Sequence, residues 1–468
     1  MTANRVNDEP IADQEIEPLF TPLADASVLV LAVSGGVDSM ALLHLIARWR
    51  SLRSGVHFPR VVVATVDHAL RPESRGEAEV VAAVSARVGF EHSILTWDGD
   101  KPTRGVQAAA REARYRLLTS FAKQTLKESA GASDPDDIRP VLVTAHTQDD
   151  QAETVLMRLA RGSGLQGLSG MAPRVERDDV LLRRPLLDVS KSRLKATLVA
   201  MGQSWIEDPS NEDLRYERVR WREARAALET LGLSSAAIAR SAQRLQRVQT
   251  LVAEAASQWI EANVDFHEGA YTTIRLEAFE NPSEVAIRAL RILLQYQGGV
   301  SASAELSQIE TLVDVLATAA AARSDLPATT LGGCIIDAAV SRGTLEPAVR
   351  IFRESGSNGL PVLELDAGES GSWDRRFRFH AAPALDKPIT IAALGDEGWA
   401  FLKRQRPDLA DIGLPARAAQ TLPAVWQDER LTAVPFLGRF DTHLFGSDLI
   451  ASVTILTPQP GQTVILEG

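Results

Sequence analysis

The chain reads as an α/β protein built on a parallel, doubly wound sheet, followed by a helical domain and a small α+β domain at the C-terminal end. Three observations predict this. Over roughly the first 225 residues, short Val/Leu-rich runs of the kind buried in parallel sheets alternate with helical patterns. From about residue 231 to 322 the pattern is helical and rich in Ala. From about residue 328 short β-like runs alternate with Gly and Pro.

In chain order, residues 1–26 are acidic, contain three prolines and show no sustained periodicity, so they read as a disordered tail. The apolar run 27–33 suits a buried strand; it ends in Ser34-Gly35-Gly36, and a helix is predicted over 38–48. Strands follow at 61–66, 92–97 and 140–145, with helices at 74–88, 106–126 and 149–161. Strand alternating with helix requires crossovers that cover both faces of a parallel sheet. This gives a catalytic domain over 27–225, a helical domain over 226–332 and an α+β domain over 333–468, whose strands include 334–336, 349–352, 377–380 and 389–392. No internal repeat is visible.

Bulk composition limits the functions open to such a chain. Its 468 residues exceed one ordinary core, and 45% hydrophobic with 24% charged residues is a globular profile. No apolar run approaches bilayer length and the N-terminus lacks a signal-peptide pattern, so the expected setting is the cytoplasm, with no membrane partner. A single cysteine, Cys334, rules out a disulfide framework or a cysteine-ligated metal within one chain. The net charge of −11 argues against a nucleic-acid partner, but residues 181–250 hold 13 Lys/Arg against 8 Asp/Glu. That local excess can serve phosphates or be a solvated helical face.

The sharpest motif is Ser34-Gly35-Gly36-Val37-Asp38-Ser39, between a buried strand and a helix. Two glycines allow a tight turn and close approach of a ligand, and the amides of the helix start favour an anion. Without a Gly-Lys-Ser/Thr ending it is not a Walker A loop; the plainer reading is a strand–turn–helix capped by Ser39 or Asp38. A second cluster, Asp149, Asp150 and Glu153, opens a later helix. Asp150 and Glu153 share a face, yet Thr147 three residues before Asp150 looks like a capping box, and spacing alone favours the cap.

The loop resembles the pyrophosphate-binding loop of the N-type ATP pyrophosphatases, the PP-loop family. Further motifs sharpen the resemblance: Val66-Asp67-His68-Ala69-Leu70-Arg71-Pro72-Glu73-Ser74, Arg111-Glu112-Ala113-Arg114-Tyr115, Ala145-His146-Thr147-Gln148-Asp149-Asp150-Gln151-Ala152-Glu153-Thr154, Arg161-Gly162-Ser163-Gly164-Leu165-Gln166-Gly167-Leu168, Arg184-Pro185-Leu186-Leu187, Asp208-Pro209-Ser210-Asn211 and the run from Arg218 to Arg222. In this order they resemble the tRNA(Ile)-lysidine synthase family over about 27–225. Val219 departs from the pattern, since many members carry Asn there.

The resemblance implies ATP as substrate, Mg²⁺ as cofactor, and L-lysine and a tRNA(Ile) with a CAU anticodon as partners; a homodimer is compatible with it. ATP and pyrophosphate would lie on Ser34, Gly35, Gly36, Val37, Asp38 and Ser39. Asp38 with Asp149 or Asp150 would hold Mg²⁺, which prefers oxygen ligands and keeps waters. Asp38, His146, Asp150, Glu153 and Arg114 are the implied catalytic group, with His146 and Glu153 serving the amine or the base. Arg111, Arg218, Arg220 and Arg222 are the implied tRNA contacts, with Arg225 beside them. The implied chemistry is adenylation of the cytosine O2 followed by attack of the lysine ε-amine on C2. With an ammonium pKa of about 10.4, only roughly 0.04% is neutral at pH 7, so deprotonation costs about 4.6 kcal/mol and needs a base. The cytosine must also leave its stack.

Other residues have two readings each. Arg111, Arg114 and Tyr115 form either a base or phosphate clamp or a solvated helix face. His44 and Trp49 read as packed core. The four glycines of 162–170 read as a mobile loop over the site or a linker. Trp373-Asp374-Arg375-Arg376-Phe377-Arg378 and Lys403-Arg404-Gln405-Arg406 set basic residues near aromatics, as a tRNA-body clamp or ordinary surface charge. Three rival functions share some of these features. A tRNA thiolase of this loop class needs a cysteine-held cluster that one cysteine does not supply, an amidotransferase needs a glutaminase-like segment that is not seen, and a non-catalytic tRNA binder leaves the acids behind the loop without a purpose.

Overall fold

The structure, a computed structural model, describes residues 8–456 apart from 54, 56, 100, 103–104, 130–138, 208–216, 300–303, 340–346, 358, 411–412 and 436–448. The motif Asp208-Pro209-Ser210-Asn211 thus lies outside the described residues. The chain forms two compact units, one running to Gln249 and one beginning at Thr250. Among the described residues no helix is long and apolar enough to cross a membrane.

The first unit opens with α1 (Asp13–Phe20), β1 (Val28–Ala32), α2 (Val37–Leu52), β2 (Arg60–Asp67), α3 (Ser74–Arg87), β3 (Glu91–Thr96), α4 (Val106–Ser129) and β4 (Val141–Val143). It continues through α5 (Gln148–Ala160), the single turn α6 (Leu165–Leu168), β5 (Arg174–Arg177), β6 (Val180–Arg183), α7 (Lys191–Ala200), α8 (Glu217–Thr230) and the start of α9 (Ser235–Asn263). The sheet order is β3-β2-β1-β4-β6-β5, parallel except for the edge strand β5. Every residue of β1 is buried, because helices cover both faces. Leu29, Leu31, Val61, Val63, Val141 and Val143 pack toward α2, α3 and α7. Val28, Val30, Ala64 and Leu142 pack toward Tyr115, Leu118 and Ala122 of α4.

Strand order reverses at β1: the chain runs outward to β2 and β3, then returns to the other side of β1 with β4. At such a switch point the loops after the two strands part and leave a crevice at their carboxyl ends. Here those loops are residues 34–36 and 144–147, which carry the motifs singled out above.

Three sequence-based boundaries need correction. Residues 8–26 are not a disordered tail. Ile11, Ile16, Phe20 and Leu23 are fully buried in the first core, Phe20 lies 5.6 Å from the Trp49 ring, and Glu17 accepts a 2.8 Å hydrogen bond from Trp49 Nε1. Spacing of i, i+4 puts Ile16 and Phe20 on one helical face, a short stripe that the surrounding acids and prolines hide from composition. The first unit also runs past residue 225: Ile238 and Ala242 of α9 pack on Ala152 and Val155 of α5.

The second unit contains a sheet ordered β7-β8-β11-β10-β9, from β7 (Val264–His267), β8 (Tyr271–Arg275), β9 (Leu326–Leu331), β10 (Cys334–Ala339) and β11 (Ala348–Arg353). Helices α10 (Glu284–Gly298) and α11 (Leu306–Ala322) pack on it. A boundary at 332/333 therefore does not exist. Leu290, Leu293, Leu312 and Leu316 share one core with Cys334, Ile336, Val349 and Ile351, so the helices and strands on either side of that point are one α+β layer pair. Beyond it come β12 (Leu363–Leu365), β13 (Ser370–Trp373), β14 (Phe377–Ala381), β15 (Ile389–Ala393), α12 (Gly395–Gln405), α13 (Ala416–Gln420), β16 (Pro423–Gln427), β17 (Arg430–Ala433) and β18 (Ile450–Ile455). They form sheets ordered β12-β15-β16-β17 and β13-β14-β18.

Candidate active site

The loop after β1 is built by its own side chains. Ser39 Oγ accepts from Ser34 N at 3.1 Å and donates to the Gly36 carbonyl at 3.0 Å, which closes the turn. Gly35 has φ +90, and its carbonyl accepts from Ile206 N at 2.9 Å. Gly36 is the N-cap of α2 and supplies no side-chain cap, so the first amides of this helix remain available to an anion. Val37 is buried and anchors the helix start in the core.

Opposite stands α5, and its N-terminus is occupied. Thr147 Oγ1 accepts from Asp150 N at 3.3 Å, while Asp150 Oδ2 accepts from Thr147 N and Thr147 Oγ1, both at 2.9 Å. The capping reading of Asp150 is thus real, but it uses only Oδ2; Oδ1 lies 3.9 Å from Arg222 Nη2. Asp149 is more fully engaged. Its Oδ2 accepts from Lys191 N at 2.7 Å, and its Oδ1 from Arg225 Nη1 at 2.7 Å and Ser235 Oγ at 3.2 Å. With both oxygens already engaged by three donors, Asp149 is a poorer metal ligand than Asp150, whose Oδ1 accepts no hydrogen bond from a described residue.

Asp38, half-buried, completes this arrangement from the loop side. Its Oδ1 is buried without a hydrogen-bond partner, and its Oδ2 lies 3.3 Å from Lys191 Nζ. Burial pushes the Asp38 carboxyl up to about 6; Lys191 opposes this, and the neighbouring Asp150 and Asp149 charges add to it. Two carboxylates are held close with one oxygen unpaired, and such an environment calls for a cation. Among the described residues no group of three or more Asp, Glu, His or Cys is placed to hold a metal. A pair of carboxylates, with waters and phosphates completing the shell, is nevertheless a usual Mg²⁺ donor set.

Glu153 is held bidentately by Arg222, with Nε to Oε1 at 2.6 Å and Nη2 to Oε2 at 3.3 Å. Burial raises its pKa even against that partner. His146 hydrogen-bonds Thr144 Oγ1 through Nδ1 at 2.9 Å. Burial holds its pKa down to about 3; Asp150 opposes this, and Arg184, Arg114 and Arg111 reinforce it. His146 is therefore a neutral ring and a weak base. Arg114 is drawn into the same field, its pKa lowered by burial and by Arg111. Beside Glu153 and Asp149 opens a shallow cleft, walled by Leu156, Trp221, Leu228, Leu233 and Ile238.

Asp38, His146, Asp150, Glu153 and Arg114 thus share one electrostatic neighbourhood, with Arg218 acting on both Asp150 and Glu153. Other expectations change. Arg222 and Arg225 are ion-paired to Glu153 and Asp149, so they serve the acids rather than stand ready for phosphate. Arg220 is exposed on α8, and Val219 is buried beside it. Tyr115 is buried in the core between the guanidinium groups of Arg111 and Arg177, 5.2 and 4.7 Å away, so it does not stack on a ligand. The 162–170 segment is pinned: Arg158 Nη1 donates to the Gly167 and Gly170 carbonyls at 3.1 and 2.8 Å. His44 and Trp49 are core residues. Lys191 was not singled out from sequence, because no motif marks it; its backbone holds Asp149 and its side chain holds Asp38 only once α7 is packed against α2.

A family model described as a PP-loop domain matches residues 8–226. The chain is similar to proteins named tRNA(Ile)-lysidine synthase. That of Bradyrhizobium sp. is 41% identical over 72% of this chain and 89% of its own. That of Rhodopseudomonas palustris is 42% identical over 73% and 96%, and that of Brucella anthropi is 34% identical over 93% and 92%.

Proposed function

Because the chain belongs to the tRNA(Ile)-lysidine synthase family, we propose that it ligates free L-lysine to C2 of the wobble cytidine of a tRNA(Ile) with a CAU anticodon, in the cytoplasm. The reaction runs through an adenylated cytidine and releases AMP and pyrophosphate. The observation that carries this reading is the meeting, at one switch-point crevice, of an uncapped helix start on the Gly-rich loop with the unpaired oxygen of Asp38.

In the first step the cytosine O2 attacks the α-phosphorus of ATP and the bond to the β-phosphate breaks. Pyrophosphate departs onto the amides of Val37, Asp38 and Ser39, where the helix start favours its charge. Asp38 and Asp150 would hold Mg²⁺, which when bound neutralises phosphate charge. Arg114 and Arg111 add positive charge near His146. His146, neutral at pH 7, offers a hydrogen bond rather than a proton sink.

In the second step the lysine ε-amine attacks C2, a C–N bond forms, and the C–O bond to AMP breaks. The cleft supplies an apolar wall for the four-carbon stem of lysine, with Glu153 for its ammonium. A carboxylate raised by burial accepts a proton more readily than an ordinary one, which makes Glu153 the proposed base and leaves His146 a poor one. Arg218 and Arg220 are proposed tRNA backbone contacts. In the second unit the exposed Arg375, Arg378, Lys403 and Arg404 are proposed to grip the tRNA body.

The half-reactions separate experimentally. With ATP and tRNA(Ile) but no lysine, the protein is expected to release pyrophosphate and leave AMP on the tRNA. Pyrophosphate release that required lysine and occurred without tRNA would mean that lysine, not cytidine, is adenylated.

A further inference from the structure

The β5–β6 hairpin pairs Arg174 directly opposite Arg183. Side chains so placed are about 4.5–5.5 Å apart at Cβ, and like charges there are destabilising. Neither guanidinium group has a hydrogen bond or ion pair to any described residue, and the Nε of Arg183 is buried without a partner. Acids are not lacking nearby. On the same hairpin Arg177 reaches Glu112 at 2.7 Å and Glu176 is taken by Arg139, while Arg184 donates to the Ala172 carbonyl at 2.7 Å. Arg174 and Arg183 thus lack the acid partners that Arg177 and Arg139 have at the same hairpin.

Their place in the fold gives the exception meaning. Val175 and Leu182, the next pair along, face the α4 core, so alternation turns Arg174 and Arg183 to the other face. Arg183 is level with Val143 at the carboxyl end of the parallel sheet, and its carbonyl accepts from Thr144 N at 3.0 Å. Thr144 in turn holds His146. The arginine pair therefore stands one strand beyond the switch-point crevice, on the far side of β4 from the Gly-rich loop.

We propose that Arg174 and Arg183 form an anion site that takes a phosphodiester of the RNA strand entering the crevice. Two unpaired guanidinium groups present parallel donors to one phosphate, and the phosphate relieves their mutual repulsion. A free nucleotide phosphate shares this chemistry, but the loop that serves it lies across β4. The proposal rests on the tRNA-modifying reading above, since it assigns the phosphate to the RNA substrate.

The test compares the full-length wild type with Arg174→Ala/Arg183→Ala, and with the single Arg174→Ala, whose side chain is exposed and whose loss does not threaten the fold. Filter binding of tRNA(Ile) is measured across a salt series, and ATP binding by calorimetry. The double variant is expected to bind tRNA more weakly at low salt, to lose roughly 0.7–0.9, one phosphate's worth, from the slope of log K against log salt, and to bind ATP as the wild type does. Its melting temperature should not fall, because a like-charge pair has been removed. An unchanged salt slope overturns the proposal. Weakened ATP binding with unchanged tRNA binding also overturns it, and assigns the pair to nucleotide phosphate instead. Failure of the underlying reading looks different: the wild type itself then binds no tRNA and forms no lysidine, and both ideas fall together.

Discussion

Asp38 shows at one residue how function opposes stability. Its folded pKa is about 6 against an ordinary 3.8, so between those values the folded chain binds a proton that the unfolded chain does not. Its contribution to stability is therefore largest below pH 4 and is lost as pH rises through 6, where the buried carboxylate ionises at a cost of up to about 3 kcal/mol. Asp38→Asn removes that charge. The variant is predicted to be more stable than wild type by about 1–3 kcal/mol at pH 8, with the difference gone at pH 4, and to release no pyrophosphate. Urea unfolding at both pH values and a pyrophosphate assay check this; a stability difference that does not change with pH would contradict the account of Asp38. Such acids were legible in the sequence because short motifs carry them. Lys191 was not, because its partner Asp38 lies in a distant element and only tertiary packing joins them. Tyr115 and Arg376 misled for the opposite reason: both sit among surface-like residues yet are buried, Arg376 at 1% exposure with its guanidinium shared between Asp374 and the Gly269 and Thr421 carbonyls. Arg376 is thus no part of a tRNA clamp.

At the scale of elements, the β1–loop–α2 unit was readable because a buried strand, two glycines and a helix each enforce the next. Gly35 is the point where this is strictest. Its φ is +90, and a Cβ there would meet Ile206 Cδ1 at 2.7 Å. Gly35→Ala is predicted to destabilise the first unit by about 1–3 kcal/mol and to abolish ATP binding, as calorimetry would detect; normal ATP affinity would show that the loop tolerates another backbone. Hairpins were harder to see. The β5–β6 turn uses Asp178-Asp179 and the β16–β17 turn Asp428-Glu429, all at positive φ without glycine. The usual Asn-Gly or Asp-Gly signal is missing from both. The β7–β8 hairpin was hidden differently, as a short strand pair directly after the 29-residue helix α9, where the helical composition on either side dominated the reading.

At the scale of the whole molecule, the order of α/β first and α+β last was legible, but the boundaries were not, because composition changes gradually while cores close abruptly. The shared core of α10, α11, β10 and β11 makes a concrete prediction. A chain ending at residue 332 loses Cys334, Ile336, Val349 and Ile351 from that core, leaving Leu290, Leu293, Leu312 and Leu316 exposed, and its second-unit helices should be cut rapidly by protease. A chain ending at residue 263 should keep the protection of the first unit. If α10 and α11 resist proteolysis equally in the 332-residue fragment and the full chain, the single-core description fails. The assignment of activity to the whole molecule has its own direct measurement, which is incubation of the full-length protein with ATP, labelled lysine and tRNA(Ile) bearing a CAU anticodon. The account predicts label in the wobble nucleoside, with one AMP released for each lysine incorporated, and no label when ATP is omitted or Asp38→Asn is used. Label found elsewhere in the tRNA, or tRNA left unlabelled by a protein that still cleaves ATP, would contradict it.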